Sequence, residues 1–195
     1  FKQKTAYEML RSLVGSEMCI RDRFLELARL ESGRAHMARD PVDVATLVAL
    51  AVNVILPQAD AAQIGVEVDV PPGLPPIAGD AQRLHQVMLN LLENAIKYSA
   101  AGDRVTVRAQ ATGRTVTISV SDTGPGIPPE ALPHLFERFY RARAEDSRVP
   151  GVGLGLAITR QIVEAHRGRI AVESGVRQGT TVSFSIPIYE EEPAE

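Results

Sequence analysis

Cysteine is almost missing from this sequence: Cys19 is the only one among 195 residues. One thiol can build neither a disulfide framework nor a cysteine-based zinc site, which suits a reducing compartment. An excess of one charge is missing too. With 21 basic and 24 acidic side chains the formal charge is −3, so nothing draws the chain to nucleic acid or to an anionic membrane surface. The longest apolar run, VATLVALAVNVIL at 44–56, includes Thr46 and Asn53 and stops at Pro57. That is short of the roughly 20 residues a bilayer span needs and predicts a core helix instead. Internal repeats and low-complexity segments are absent. None of His36, His85, His134 and His166 has a partner at metal-ligand spacing, which predicts structural or surface roles. His166 falls in a last helical turn, where a cation suits the helix dipole.

What remains is 45% hydrophobic and 23% charged, the composition of one globular domain with appendages. Residues 4–23, KTAYEMLRSLVGSEMCIRDR, resemble translated sequencing-adapter read-through, so residues 1–23 are expected to be non-native. The alternative is a genuine helix leading into Phe24. On the first reading the authentic protein has lost its front end and Cys19 is foreign to it. FLELARLESGR, at 24–34, carries a helical stripe of Phe24, Leu27, Ala28 and Leu30 before Ser32-Gly33, as the end of a longer helix does. AHMARDPVD reads as a connector, with 35–42 as linker, because Pro41 biases Asp40 away from helix. A helix is expected at 43–56, resuming beyond Pro57 to about Gln63, then a strand at 66–70 and a proline-rich break, PPGLPPIAG.

Asp80 is a good N-cap for the next helix. Its apolar residues Leu84, Val87, Met88, Leu91, Leu92, Ala95 and Ile96 follow the spacing of one helical face. Strands are expected at 105–111 and 115–122, turning at Thr112-Gly113-Arg114, followed by a Pro/Gly loop and a short aromatic helix around HLFERFYR. GVGLGLAITRQIVEAHRG predicts a glycine turn and a helix stopped at Gly168, before strands at 169–174 and 180–187. An acidic tail, 190–195, closes the chain. Helices interleaved with mainly antiparallel strands predict a two-layer α/β sandwich, its mixed sheet covered by helices on one face.

Three features exceed what a core requires. Asn90, Asn94 and Lys97 share a polar stripe at i, i+4, i+7. They fit either a solvated face or a site placing amide oxygens on a hard cation and an ammonium on phosphate. Asp122 shares the inward parity of Val116, Ile118 and Val120. It is either a carboxylate in a pocket, needing a hydrogen-bonding ligand, or a turn aspartate before Thr123-Gly124. GVGLG, at 151–155, lacks the preceding strand of a dinucleotide fingerprint and the Lys-Ser/Thr of a Walker A loop. It is either a flexible turn or a glycine entry to a helix N-terminus that can receive phosphate.

In order along the chain, NLLENAIKYS, DTGPGI, LFERFYR and GVGLGLAI resemble the N, G1, F and G2 boxes of the catalytic ATP-binding domain of sensor histidine kinases. That family shares the Bergerat (GHKL) nucleotide fold with gyrase, Hsp90 and MutL. The likeness runs from LARLESGR, similar to the end of a dimerisation-domain helix, to SIPI, and assigns 43–189 to the catalytic domain with its core at 80–188. By this resemblance Asp122 accepts from the adenine amino group, and Gly124, Gly126 and Ile127 shape the base pocket. Asn94 holds Mg²⁺ with support from Asn90, and Lys97 and Tyr98 line the phosphate and base regions. Arg141 reaches the phosphates, while Gly151, Gly153, Leu154 and Gly155 offer backbone N–H groups to the triphosphate. Residues 142–150 correspond to a mobile ATP lid. ATP-hydrolysing members of the fold usually carry glutamate where Asn90 stands, so asparagine there implies phosphoryl transfer to protein rather than hydrolysis.

The family's acceptor box, a histidine followed by an acidic residue and usually Arg-Thr-Pro, has no counterpart in this sequence. AHRG replaces the more usual His-Gly-Gly, and Arg177 stands where glycine often precedes the Gly-Thr turn. The resemblance therefore implies a kinase domain that binds Mg-ATP but does not phosphorylate itself alone. It acts on a histidine of a dimerisation domain in the same or a partner chain, with a response regulator downstream, in a cytoplasmic and homodimeric full-length protein, with or without an inner-membrane anchor. The alternatives are a stand-alone ATPase or serine kinase of this fold, and an inactive nucleotide-binding interaction module.

Overall fold

Alternating apolar residues build the sheet. Val105, Val107 and Ala109, then Val116, Ile118 and Val120, then Phe184 and Ile186 are buried, while the residues between them face outward. The computed structural model describes residues 37–141 and 152–191, all within one unit, Met37–Glu195. Expectations for residues 1–36, 142–151 and 192–195, including Gly151 and the lid stretch, lie outside the described residues.

The elements are β1 (Asp40–Val42), α1 (Val44–Ala61), β2 (Gly65–Asp69), β3 (Ile77–Gly79), α2 (Ala81–Tyr98), β4 (Arg104–Thr112), β5 (Thr115–Asp122), α3 (Gly155–Ala165), β6 (Arg169–Ser174) and β7 (Thr180–Pro187). The five-stranded sheet has the order β2-β4-β5-β7-β6. Only the β2–β4 pair is parallel. Helices α1, α2 and α3 pack side by side, and their contacts with the sheet cover its apolar face, the expected two-layer arrangement.

Four local expectations are corrected. Helix α1 does not stop and resume at Pro57 but runs through it, capped by Asp43, whose Oδ1 accepts from the Thr46 N–H at 2.7 Å. Pro57 and Asn53 both lie on the exposed side, where the carbonyl that Pro57 leaves without its helical donor can turn to water. The stretch expected as a connector contains β1, and the proline-rich break ends in β3; the two pair antiparallel, with Ile77 fully buried. The aromatic segment is no α-helix. A 3₁₀ turn at Leu132–His134 is followed by bends, and Phe139 adopts φ +62°, a conformation that ends any helix. Helix α3 ends at Ala165, three residues before the expected stop, with Arg167 at φ +58°. Gly168 is needed for another reason: a Cβ there would overlap the Ser185 carbonyl of β7.

Candidate nucleotide site

Helix α2 supplies one wall. Asp80 caps it, its Oδ1 accepting from Arg83 N–H at 3.0 Å, and its apolar stripe is buried as the periodicity requires. That burial directs Asn90, Asn94 and Lys97, all half-buried, to a common side. Asn90 meets the start of α3: its Nδ2 donates to Gly155 O at 3.5 Å and to Thr159 Oγ1 at 3.4 Å, and Thr159 Oγ1 donates to Gly155 O at 2.9 Å. Lys97 Nζ lies 5.2 Å from the centroid of the Tyr98 ring, which is largely exposed.

The second wall is the glycine entry to α3. Gly153 has φ +75°, and a Cβ there would come within 2.8 Å of the Phe139 carbonyl carbon and of Tyr140 O. The Phe139 N–H donates to Gly153 O at 2.9 Å, which ties the aromatic segment to this turn. Leu154 is buried and anchors the turn, and the first helical turn carries no acidic residue. Its leading N–H groups lack helical acceptors and suit an anion. Arg141, half-buried, ends the described segment on the same aromatic stretch.

A third part of the candidate site is built around Asp122. This residue closes β5 between Val105 of β4 and Thr180 of β7, and its Oδ1 accepts from Gly124 N–H at 2.9 Å. The turn bond is thus present, on a half-buried carboxylate that still belongs to β5. Burial raises its pKa above the ordinary carboxylate value, against the pull of the Gly124 and Thr180 N–H groups. Gly126 has φ +69°, and a Cβ there would overlap the Gly175 carbonyl of the β6–β7 turn. The same turn holds Ile127, whose N–H donates to Ser174 Oγ at 2.9 Å, and Arg177, whose N–H donates to Pro125 O at 2.8 Å.

The fold therefore brings Asn90 to Gly155 at the middle of α2 and Tyr98 to Gly124 at its C-terminal end. Sequence reading missed Ser174 and Thr180, whose hydroxyls lie 2.9 Å apart beneath the loop that follows Asp122. Their hydroxyls look like ordinary strand residues until the pairing of β5 with β7 sets Thr180 beside Asp122. The cation expected at His166 is also corrected. His166 is buried, its Nε2 accepts from Asp80 N–H at 2.9 Å, and its Nδ1 donates to Ile162 O at 2.8 Å. Burial lowers its pKa, and this bonding fits the neutral ring with its proton on Nδ1. Among the described residues no group of three or more His, Cys, Asp or Glu could hold a metal. Asn94, half-buried on α2, carries an amide oxygen, a donor type compatible with a hard cation.

Residues 79–190 match the family described as histidine kinase-, DNA gyrase B-, and HSP90-like ATPase. The adaptive-response sensory kinase SasA of Microcystis aeruginosa is 42% identical over 122 residues, covering 62% of this chain and 32% of its own. The chain thus spans about a third of the length of such curated relatives. Full-length ShkA solved in complex with AMPPNP matches with a TM-score of 0.84 at 30% identity, over 97% of this chain and 41% of that chain. The mycobacterial sensor histidine kinase MprB matches at 32% identity and a TM-score of 0.67, over 79% of this chain and 100% of that chain. Sheet order, helix placement and sequence agree, and the chain belongs to the histidine kinase-, DNA gyrase B-, and HSP90-like ATPase family as the catalytic ATP-binding region of a sensor histidine kinase.

Proposed function

We propose that this domain binds Mg-ATP along α2 and passes the γ-phosphate to a histidine on a dimerisation domain. The observation that carries this reading is the meeting of Asn90, midway along α2, with the first turn of α3, while the C-terminal end of α2 packs against Gly124. The side facing α3 offers amide and backbone N–H groups to a triphosphate; Asp122 at the end of β5 offers a carboxylate to an amino group. Asp122 accepts from the adenine amine, and Gly124, Gly126 and Ile127 border the ring. Lys97, Tyr98 and Arg141 line the phosphate side, with N–H groups of Gly151, Gly153, Leu154 and Gly155.

Asn94 is the Mg²⁺ ligand, with Asn90 beside it. Mg²⁺, when bound, neutralises charge on the β- and γ-phosphates. A nitrogen of the acceptor imidazole forms the P–N bond as the bond from the γ-phosphorus to the bridging oxygen breaks, and ADP leaves with that oxygen. Asn90 has no carboxylate with which to activate water, which favours this transfer over hydrolysis. Because ATP is the substrate, the domain works in the cytoplasm; the acceptor domain, a homodimer and a downstream response regulator complete the assembly.

Asn94→Ala is expected to weaken Mg²⁺-dependent binding of a non-hydrolysable ATP analogue by at least about tenfold, with circular dichroism unchanged. Unchanged affinity refutes the assignment. Mixing the chain with a dimerisation domain that carries an acceptor histidine should label that domain from γ-labelled ATP. Tight ATP binding without transfer would instead support the inactive nucleotide-binding module.

A further inference from the structure

Thr159 lies in the first turns of α3 and is fully buried, beside Ile158, Ile162 and Val163. Valine would fill the same space with a methyl group, and burying a hydroxyl is unfavourable unless it is bonded, so its bonds must account for it. Its one proton goes to Gly155 O at 2.9 Å, and its oxygen accepts from Asn90 Nδ2 at 3.4 Å; Asn90 Nδ2 also lies 3.5 Å from Gly155 O. A carbonyl oxygen has no proton, and the Thr159 hydroxyl has given up its own. Both groups that α3 turns towards Asn90 are therefore acceptors. An asparagine amide has one donor side and one acceptor side, and its partners decide which way round it stands. Against two acceptors Nδ2 must face α3, because the reversed amide would set Oδ1 against the Gly155 carbonyl oxygen. Oδ1 is left on the other branch, where no group among the described residues donates to it.

We propose that Thr159 is a positioning residue for Asn90: its hydroxyl, oriented by Gly155 O, holds the Asn90 amide with Nδ2 on α3 and Oδ1 away from it, so that Asn90 meets Mg-ATP as an acceptor for the cation and not as a donor to phosphate. This rests on the reading of Asn90 as a residue beside Mg²⁺. Thr159 acts only through Asn90, and its effect should follow Mg²⁺ rather than the nucleotide itself.

The test is calorimetric titration of the whole chain with a non-hydrolysable ATP analogue, once in excess Mg²⁺ and once in EDTA. Thr159→Val is expected to lose about 3- to 10-fold in affinity with Mg²⁺, the size of one neutral hydrogen bond, and less than about twofold in EDTA. A melting scan without nucleotide checks that this chain folds, and Thr159→Ala takes its place if it does not. Thr159→Ser, which keeps the hydroxyl, should stay within about twofold of the parent under both conditions. In an Asn90→Ala chain the valine change should add less than about twofold, since the group it positions is gone. Equal losses with and without Mg²⁺, no loss, or the full loss repeated in the Asn90→Ala chain overturns the proposal. Asn90→Ala by itself separates the two levels. If it weakens binding only with Mg²⁺ while Thr159→Val does not, the Thr159 role alone falls; if it has no Mg²⁺-dependent effect, the reading of Asn90 falls and the Thr159 role with it.

Discussion

Burial raises the pKa of the Asp122 carboxyl, and the N–H groups of Gly124 and Thr180 only partly offset that push. A carboxyl with a raised folded pKa contributes stability that is fully present below the unfolded pKa and is lost as pH rises through the folded pKa. Above its folded pKa the carboxylate therefore costs the domain stability. Asp122→Asn should raise the melting temperature without nucleotide at pH 7 and weaken ATP binding by about 10- to 100-fold. A lower melting temperature in scanning calorimetry would show that the carboxylate stabilises the empty fold. Alternation along β5 was enough to aim Asp122 inward. It could not show that Gly124 N–H would bond the carboxylate, because that turn depends on the packing of Gly126 against Gly175.

Among the elements, α1 and the aromatic segment depart furthest from local expectation, in opposite directions. Pro57 ought to break α1, yet Val44, Leu47, Val48, Ala51, Val52, Ile55 and Ala59 bury one continuous stripe across it. That burial outweighs the lost hydrogen bond, since each buried aliphatic side chain contributes roughly 1.5–3 kcal/mol against about 3 kcal/mol for an interior proline. Pro57→Ala should stabilise the domain by about 1–2 kcal/mol, part of the gain cancelled by a freer unfolded chain. Urea denaturation measures this, and a loss of stability would mean that the Pro57 ring is itself packed. LFERFYR has helix-forming composition but Phe139 lies at φ +62° with its N–H bonded to Gly153 O. A tertiary bond overrides the local preference there, at the junction where the aromatic segment meets the glycine turn before α3.

At the scale of the whole molecule, α2 and α3 run antiparallel and are bridged at both ends. Asp80 N–H, at the start of α2, donates to His166 Nε2 at the end of α3, while Asn90, midway along α2, donates to Gly155 O and Thr159 Oγ1 at the start of α3. Helices α2 and α3 are therefore tied together at two points. Burial, opposed by the bond to Ile162 O and the charge of Asp80 and aided by that of Arg39, lowers the His166 pKa. For a histidine whose folded pKa is lowered, its stabilisation is present above the unfolded value, about 6.5, and is lost as pH falls through the folded value. Melting temperature should therefore hold above about pH 6.5 and gain a falling component below it that is absent in His166→Ala. That variant should lose about 2–4 kcal/mol at pH 7, from the cavity and the orphaned Asp80 N–H. An unchanged acid slope would remove His166 as its source.

Periodicity and composition alone determined a great deal about this protein: the apolar stripe of α2, the alternation of β4, β5 and β7, the hairpins and the boxes that mark the family. These depend on side chains a few residues apart, which local geometry relates directly. Tertiary structure decided the rest: the pairing of β1 with β3, the course of α1 through Pro57, the neutral His166 under Asp80, and the meeting of Asn90 with Gly155 and Thr159. Each sets groups distant in sequence within a few ångströms, and chain spacing holds no information about such a distance until the sheet register and helix packing fix it.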